Sequence, residues 1–406
     1  MIDYAPLLRA NLPAAAPKYN GFPKYNFVGG HNDANSIPVD DLIAAASKVL
    51  KREGSTLATY GLQSGPQGYR PLREFLSKKL GREAGITCAA DDILVTGGSQ
   101  QALELINALL LEKGDTIIVE EASYGGFLTR VKRFGVNMVP LPLDKEGLDV
   151  EALGRILADL KAKGIRPKYL YTIPTVQNPT ASVLPLDRRQ AVIKLCESYG
   201  VPILEDECYS DLVWEGTRPP AMRGLAGDDR VIHVGSFSKS IAPALRLGYI
   251  VAGWPLMSRI LPLKTDSGTG AIEQMVMAEY CEAHFDKHVV ALRKTLKRKL
   301  DVLVEAVGAN FGTAAEFDYP PGGIFLWIKL PDSVDTAKLF QAAGKEGVSL
   351  NPGAEWSVDP AHGQSRLRLC YANPSEETIR EGVAKLAEIC NREFGVPTRI
   401  ANVGRN

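Results

Sequence analysis

The stretch DILVTGGSQQALELINALLL, residues 92–111, decides the fold of this chain of 406 residues. The apolar residues from Ile93 to Val95 predict a short buried strand, which the pair Gly97-Gly98 ends. From Ser99 onward apolar residues return every three or four positions, and this spacing predicts a helix. A strand that leads through a glycine turn into a helix is the repeating unit of a parallel sheet.

More strands and helices alternate along the chain after this stretch. Helical segments such as AVIKLCESYG separate several of the strand candidates. These candidates are TIIVEEASY, NMVPLPL, YLYTIP, VPILEDE, RVIHVGSFS and LGYIVAG. The alternation predicts an α/β protein with a mostly parallel central sheet covered by helices on both faces.

The pattern divides the chain into three parts. Residues 1–50 are rich in Pro, Gly and Asn up to about position 40, and we interpret them as an extended arm and part of a small domain. Residues 51–290 form the predicted large domain, and residues 291–406 the smaller α+β domain. The boundary is placed where RKTLKRKLDVLVEAV is expected to begin a long amphipathic helix near residue 290. Shorter helices are predicted from Pro38 to Leu50, from Arg70 to Leu80, and from Ser375.

Composition argues against several classes of function. Lys plus Arg and Asp plus Glu number 47 each, and no basic stripe stands out, so nucleic acid and membrane surfaces are poor candidate partners. No apolar run approaches the ~20 residues of a membrane-spanning helix. The six cysteines show no CxxC spacing, which indicates neither a disulfide framework nor a metal site. We expect a cytoplasmic enzyme.

The segment GSFSKSIAPALRLGYI, residues 235–250, offers an unusual set of groups. It contains the amine of Lys239 together with the hydroxyls of Ser236 and Ser238 and the guanidinium of Arg246. An amine that forms an imine beside a bound phosphate needs these groups. The alternative is a surface lysine in a polar turn.

Other polar residues follow predicted strands. Gly98, Ser99 and Gln100 open a helix, where backbone N–H groups suit a phosphate, although an ordinary glycine turn has the same pattern. Asp206 ends a buried strand, and a carboxylate there is costly without a partner. A protonated pyridine nitrogen is one such partner, and an N-cap or salt-bridge role is the alternative.

Three further residues stand near strand ends. Asn178 and Tyr209 can each donate a hydrogen bond to a phenolate oxygen on a cofactor ring. Tyr124 can stack on the face of such a ring. Taken singly, each of the three fits a structural role better than a functional one.

Nine motifs, in their order along the chain, resemble those of the fold-type I pyridoxal-5′-phosphate (PLP) enzymes, and within them the class I and II aminotransferases. The likeness is nearest to the branch that contains 2-aminoadipate and kynurenine aminotransferases and the effector domains of MocR-type regulators. It extends over nearly the whole chain. The motifs are GLQSGPQGYRPLRE, TGGSQQALEL, EEASYGG, TVQNPT, EDECYSDL, GSFSKSIAPALRLGY, PPGGIFLW, GVSLNPG and RLRLCYA.

The resemblance implies a role for each candidate. Lys239 would carry PLP as a Schiff base and shuttle the α-proton, and Asp206 would pair with the pyridine nitrogen. Asn178 and Tyr209 would bind the ring oxygen, and Tyr124 would stack on the ring. The residues that would hold the phosphate are Gly98, Ser99, Gln100, Ser236, Ser238 and Arg246. Those that would contact the substrate are Arg368, Asn178 and Gly30.

Arg368 matches the family arginine that grips the α-carboxylate in a two-pronged pair. Arg366 remains an alternative by composition, because residues two apart on a strand share a face. The implied reaction moves an amino group between an amino acid and a 2-oxo acid, within a homodimer. Elimination, racemisation or decarboxylation of an amino acid is the alternative, and a ligand-binding regulator is a more remote one.

Two departures from the family pattern bear on the substrate. Ser64 stands where relatives often have a tyrosine that reaches a phosphate across the dimer interface. The element Gly29-Gly30-His31-Asn32-Asp33 replaces a GGxP-type element that lines the substrate pocket. His31 either contacts a substrate or caps a turn. Both changes argue against standard 2-aminoadipate specificity.

Overall fold

The structure is a computed structural model that describes residues 2–8, 12, 15, 16, 18–214, 216 and 218–399. Parts of the predicted N-terminal arm and the last seven residues of the predicted small domain therefore lie outside the described residues. The helices are α1 (Val39–Glu53), α2 (Arg70–Ala84), α3 (Ser99–Leu110), α4 (Gly125–Phe134), α5 (Val150–Ala162), α6 (Leu186–Tyr199), α7 (Met222–Ala226), α8 (Trp254–Ile260), α9 (Ala271–Phe311), α10 (Thr336–Lys345) and α11 (Glu376–Phe394).

The strands are two to six residues long, and half of them are buried along their whole length. They are β1 (Tyr25–Asn26), β2 (Ile93–Thr96), β3 (Thr116–Glu120), β4 (Asn137–Leu141), β5 (Leu143–Asp144), β6 (Gly147–Leu148), β7 (Leu170–Thr172), β8 (Ile203–Asp206), β9 (Val231–Ser236), β10 (Gly248–Val251), β11 (Phe325–Lys329), β12 (Val348–Ser349), β13 (Asn351–Pro352) and β14 (Arg366–Cys370).

The central sheet has the order β2-β10-β9-β8-β7-β3-β4 in the described part of the chain. Neighbours from β9 through β8, β7 and β3 to β4 pair in parallel, whereas β10 runs antiparallel to both β9 and β2. The inner strands β3, β7, β8 and β9 are buried on both faces, as expected of a parallel sheet with helices on each side. The prediction of a mostly parallel sheet is confirmed.

Parallel strands bring their carboxyl ends to one edge of the sheet. Thr96, Glu120, Thr172, Asp206 and Ser236 end β2, β3, β7, β8 and β9 in turn. Ligands of open α/β sheets bind in the crevice outside these ends. Most of the predicted site residues lie at these strand ends or in the loops that follow them, whereas Gly30, Arg246 and Arg368 come from other parts of the chain.

The long helix α9 corrects one expectation. It begins at Ala271, about 20 residues before the predicted start near residue 290, and continues without a break to Phe311. Its first half buries Met275, Tyr280 and Phe285 in a core shared with α1 and α2. Its second half joins a different core together with α11. One helix thus serves both cores, and the predicted domain boundary at 290/291, which stays a prediction, falls inside it.

The C-terminal segment has its own small sheet, in which β14 lies between β11 and β13. The short strand β1 pairs in parallel with β12, so that residues near 25 pack with the C-terminal segment. The predicted helix from Ser375 is present as α11. The Ser375 hydroxyl caps it by accepting a hydrogen bond from Thr378 N at 3.1 Å. The helices predicted from Pro38 and Arg70 are likewise present as α1 and α2.

Candidate active site

A cavity of about 260 Å³ lies at the carboxyl ends of the central strands. All but one of the residues proposed from the sequence line its wall. Those on the wall are Gly30, Ser99, Gln100, Tyr124, Asn178, Asp206, Tyr209, Ser236, Ser238, Lys239, Arg246 and Arg368. The exception, Gly98, lies directly behind the wall beside Arg246.

Lys239 follows β9 in a turn and projects its amine into the cavity. Its Nζ donates a hydrogen bond to Gly30 O at 2.8 Å. A Cβ atom at position 30 would displace this Nζ, so the absence of a side chain at Gly30 leaves room for the lysine amine. Burial lowers the pKa of Lys239, and the positive charges of Arg368 and Arg246 lower it further. A lowered pKa favours the neutral amine, which is the nucleophilic form.

Asp206 is a buried carboxyl at the end of β8. Tyr171 donates its hydroxyl to Asp206 Oδ2 at 2.8 Å, and the backbone N–H of Cys208 reaches Oδ1 at 3.3 Å. Burial raises the pKa of Asp206. The group is therefore suited to a cationic partner that would hold it ionised.

Gly98, Ser99 and Arg246 lie together and form a candidate phosphate cradle. Gly98 has φ of 82°, and Arg246 takes the left-handed value of 51°. A Cβ at position 98 would collide with the Arg246 guanidinium, which donates to Gly97 O at 3.1 Å. The guanidinium thus lies close to the N-terminus of α3, where unpaired N–H groups favour a phosphate. The Ser236 hydroxyl accepts from Ser238 N at 3.0 Å on the same wall.

Asn178 forms hydrogen bonds both to Tyr209, the other predicted contact of the ring oxygen, and to Arg368, the predicted contact of the carboxylate. Its Nδ2 donates to the Tyr209 hydroxyl at 3.0 Å, and its Oδ1 accepts from Arg368 Nη1 at 2.9 Å. The loop around it contains Val176 and Ala181, whose φ values of 55° and 63° are unfavourable for residues with a side chain. Hydrogen bonds from neighbouring residues must hold this loop in place.

Tyr124 and Gln100 bond to each other. Gln100 Nε2 donates to the Tyr124 hydroxyl at 2.7 Å, and Gln100 Oε1 accepts from Arg130 Nη2 at 2.7 Å. The Gln100 amide, predicted to hold the phosphate, is thus engaged with the side chain predicted to stack on the ring.

The structure distinguishes Arg368 from Arg366, the alternative contact of the carboxylate. Arg368 is buried on the cavity wall, and its Nη2 donates to Asn351 Oδ1 at 2.9 Å and to Gly29 O at 3.2 Å. Its Nε has no hydrogen-bond partner among the residues that the structure describes. Arg366 lies outside the cavity and lines a neighbouring cleft of about 830 Å³. Arg368 therefore presents a buried donor that a carboxylate can satisfy.

Sequence reasoning did not single out four residues that border the site. Trp356, Asn351 and Cys208 line the cavity, and Tyr171 contacts Asp206. Asn351 lies within the GVSLNPG motif, which was recognised without assigning a role to its residues. Trp356 lies just beyond that motif, and nothing in the local spacing connects it with Arg368.

The two departures from the family pattern have local contacts. Ser64 accepts from Arg73 Nη2 through its carbonyl at 2.8 Å, and its hydroxyl donates to Leu62 O at 3.2 Å. His31 meets the ring of Phe22 edge-on at 5.1 Å. Burial lowers the pKa of His31, and the charge of Lys239 lowers it further. The next residues hold the element down, since Asp33 forms an ion pair with Lys299 at 2.9 Å.

Glu120 lies in the interior beneath the loop of Asn178. It accepts hydrogen bonds from Thr172 Oγ1 at 2.5 Å and from Gln177 Nε2 at 3.0 Å. Gln177 in turn donates to Ala122 O at 2.7 Å and accepts from Thr180 N at 2.8 Å. Glu120 therefore supports the loop through the side chain that precedes Asn178.

Burial raises the pKa of Glu120 to about 7, from an ordinary value of 4.5. Because the folded value is the higher one, the free energy of unfolding falls as the pH rises from 4.5 to about 7. The free energy of unfolding of Glu120→Gln should not show this fall. From pH 5 to pH 8 it should therefore rise by about 2–3 kcal/mol relative to that of the unsubstituted protein. Urea unfolding at both pH values measures this difference. Glu112→Gln on the surface is the control, and an equal pH dependence in both variants would contradict the expectation.

The cavity residues suit PLP in three respects. Lys239 offers an amine for the aldehyde, the N-terminus of α3 and Arg246 offer a phosphate cradle, and Asp206 offers an anion for the ring nitrogen. Glycine at position 98 suits the cradle, because its φ is 82° and a Cβ there would displace the Arg246 guanidinium. This fold and this site define a PLP-dependent enzyme of fold type I.

Comparison with known proteins identifies the family. The family model "Aminotransferase class I and II" matches residues 28–386. The chain therefore belongs to the class I and II aminotransferases, and the predictions of the fold class, the cofactor and the aminotransferase activity are confirmed.

Similar proteins include enzymes and regulators. The chain is 31% identical to the 2-aminoadipate transaminase of Thermus thermophilus over 366 residues, which cover 89% of this chain and 88% of that protein. It is 31% identical to the kynurenine aminotransferase of Pyrococcus horikoshii, whose crystal structure in complex with PMP aligns over 92% of each chain with a TM-score of 0.85. It is 30% identical to the HTH-type transcriptional regulator YdfD of Bacillus subtilis, over 85% of this chain and 70% of that protein.

Two kinds of feature are absent from the described residues. Among the described helices, none combines the length and the apolar character that crossing a bilayer requires. Within the same residues, no group of three or more His, Cys, Asp or Glu side chains is placed to hold a metal ion.

Proposed function

We propose that Lys239 carries PLP and that the cavity around it performs transamination with the residue roles predicted from the sequence. The observation that carries this proposal is the meeting of three groups in one cavity. These are the amine of Lys239, the carboxyl of Asp206 and the unpartnered Nε edge of Arg368. They come from different segments of the chain, and together they supply an attachment point for PLP, a partner for its ring nitrogen and a donor for a carboxylate.

Asp206 would hold the ring nitrogen protonated, and Asn178 and Tyr209 would bind the ring oxygen. Ser99, Gln100, Ser236, Ser238 and Arg246 would hold the phosphate, with Gly98 leaving room for the guanidinium. Bound PLP supplies a ring that withdraws electrons and so makes the Cα–H bond of an attached amino acid acidic.

Lys239 has the second task of moving the proton. When it is not joined to the cofactor, its amine would lie free in the cavity, and its lowered pKa would leave it able to accept the α-proton. Arg368 would hold the α-carboxylate and thereby fix Cα relative to Lys239. Tyr124 would cover one face of the ring and exclude water from it.

The products of a half-reaction test this function. The holoenzyme is incubated with one amino acid at a time, and the cofactor and the organic product are identified. We expect pyridoxamine phosphate and the matching 2-oxo acid, and added pyruvate or 2-oxoglutarate should restore the aldehyde. Cofactor that stays in the aldehyde form while the amino acid is racemised, decarboxylated or eliminated would support the alternative reactions.

We further propose that the preferred amino donor has an uncharged side chain. The cationic side chains on the described cavity wall are Lys239, Arg246 and Arg368, and each already has a role above. None is left for a second carboxylate such as that of 2-aminoadipate. A donor screen that found 2-aminoadipate preferred to L-leucine and L-phenylalanine would contradict this proposal.

A homodimer is proposed from an apolar surface. Val39, Ile43, Leu57 and Ile272 are exposed hydrophobic residues that border one shallow depression, with Ile43 at 61% exposure. Contiguous exposed apolar surface commonly marks a protein–protein interface. The segment with Leu57 leads to Ser64, where relatives have the tyrosine that reaches across the interface.

We expect Ile43→Glu to dissociate the dimer, because a charge would be buried in an apolar interface. Sedimentation velocity should show the mass of two chains for the unsubstituted protein and of one chain for the variant. Leu186→Glu, at an exposed position on α6, is the control and should remain dimeric. An unsubstituted protein that sediments as a monomer would contradict the proposal.

We propose the cytoplasm as the location, because the six cysteines, all within the described residues, are free thiols. The balanced charge also supports the proposal that nucleic acid is not a partner. A gel-shift assay with duplex DNA at low salt tests the second point.

A further inference from the structure

The indole of Trp356 lies against the guanidinium of Arg368. Arg368 Cζ is 3.7 Å from the centre of the Trp356 ring system, and the Phe325 ring centre is 5.1 Å from the same atom. Trp356 and Arg368 are both buried. A guanidinium removed from water gains more from an aromatic face than an exposed one does.

The edges of the same guanidinium are also held. Nη1 donates to Asn178 Oδ1 and Nη2 to Asn351 Oδ1, both at 2.9 Å. Nε has no partner among the described residues. Because a ring covers the face and protein acceptors hold both Nη atoms, the plane of the guanidinium has one orientation on the cavity wall.

Trp356 also contacts the part of the site that belongs to the central sheet. Its ring centre is 5.9 Å from that of Tyr124, and its carbonyl accepts from Ser123 N at 2.8 Å. The following residue, Ser357, forms an isolated bridge with Ala122. The indole thus lies between Arg368 on β14 and Tyr124 after β3, and it packs against both side chains.

We propose that Trp356 is a positioning residue that orients Arg368 and thereby gives the enzyme its selectivity for substrates with an α-carboxylate. This inference rests on the proposed role of Arg368. The indole supplies a flat, electron-rich surface, which an aliphatic side chain of similar volume does not have. Without it, the guanidinium can rotate about its side-chain bonds, and the orientation that pairs with a carboxylate becomes one of several.

The size of the effect follows from the interaction that is lost. A desolvated contact between a cation and an aromatic ring corresponds to roughly a 10- to 30-fold change in affinity. We expect this loss only for ligands that bear the carboxylate. A ligand of the same shape without the charge should bind equally well to the variant.

Equilibrium binding to the holoenzyme tests this without any turnover. The probes are 4-methylpentanoate, which is leucine without its amino group, and its neutral amide, 4-methylpentanamide. Calorimetric titration measures both dissociation constants, and their ratio expresses the selectivity for the carboxylate. The variants are Trp356→Leu, Trp356→Phe and Arg368→Leu, and the exposed Trp254→Leu is the matched control.

We expect Trp356→Leu to reduce the ratio roughly 10- to 30-fold and Trp356→Phe, which keeps an aromatic face, to reduce it about 3-fold. Trp254→Leu should leave it unchanged. A ratio preserved in Trp356→Leu, or equal weakening of both probes, would overturn the proposal. If that variant does not fold, an unchanged ratio in Trp356→Phe would do the same. A ratio preserved in Arg368→Leu would instead reject the role of Arg368 and with it this part of the proposed function.

Discussion

Replacing Lys239 by alanine is expected to abolish the covalent attachment of PLP and nearly all turnover. The amine of Lys239 is the one lysine amine on the cavity wall of the described chain, and it serves both as the attachment point and as the proton carrier. Loss of a group that performs such linked tasks lowers kcat on the order of 10⁴- to 10⁶-fold. Single-turnover rates with an excess of amino donor measure this loss.

Attachment can be measured separately from turnover. Borohydride reduction of the holoenzyme, followed by digestion and mass spectrometry, should place a pyridoxyl adduct on Lys239 and none on the alanine variant. Lys338→Ala, at an exposed position on α10, is the control and should keep the adduct and the activity. Turnover by Lys239→Ala, or an adduct on another lysine, would reject the role.

Replacing Asp206 by asparagine should have the next largest effect. The substitution keeps the shape of the side chain but removes the negative charge that would hold the ring nitrogen protonated. A preorganised charge at a buried site is worth on the order of 10³-fold in rate when it is removed. We expect the rate of α-proton transfer to fall by about that factor, as measured from cofactor absorbance in a single turnover.

The same variant separates binding from chemistry. Because Arg368 and the phosphate cradle remain, affinity for the amino acid should change far less than the rate of proton transfer. Asp187→Asn at an exposed position on α6 is the matched control. A proton-transfer rate within about 3-fold of the unsubstituted enzyme would contradict the pairing of Asp206 with the ring nitrogen.

Local patterns were sufficient to predict the sheet and the helices that flank it. The strand, glycine turn and helix at 92–111 appear as β2 and α3, and the strands after them occur in the predicted order. These elements depend on apolar periodicity and on turn residues, which are properties of neighbours in sequence. The start of α9 was misjudged because its first half packs against α1 and α2, and its burial depends on those distant segments.

The site residues that lie in recognisable motifs could be predicted, whereas those that belong to the site through tertiary contacts could not. Lys239, Asp206, Asn178 and Arg246 each lie in a recognisable motif. Trp356 does not, and its importance lies in its distance of 3.7 Å from Arg368. Arg366 and Arg368 could not be separated by spacing, and only the tertiary structure places Arg368 on the cavity wall and Arg366 on the neighbouring cleft.

The sequence by itself determined the class of fold, the family and the side chains able to bind PLP, because these depend on residue type and on order along the chain. The tertiary structure alone decided which arginine faces the site, what holds that arginine and how the proton affinities are shifted. Those properties arise from burial and from contacts between segments more than 100 residues apart, such as Asn178 and Arg368, and local pattern carries no record of them.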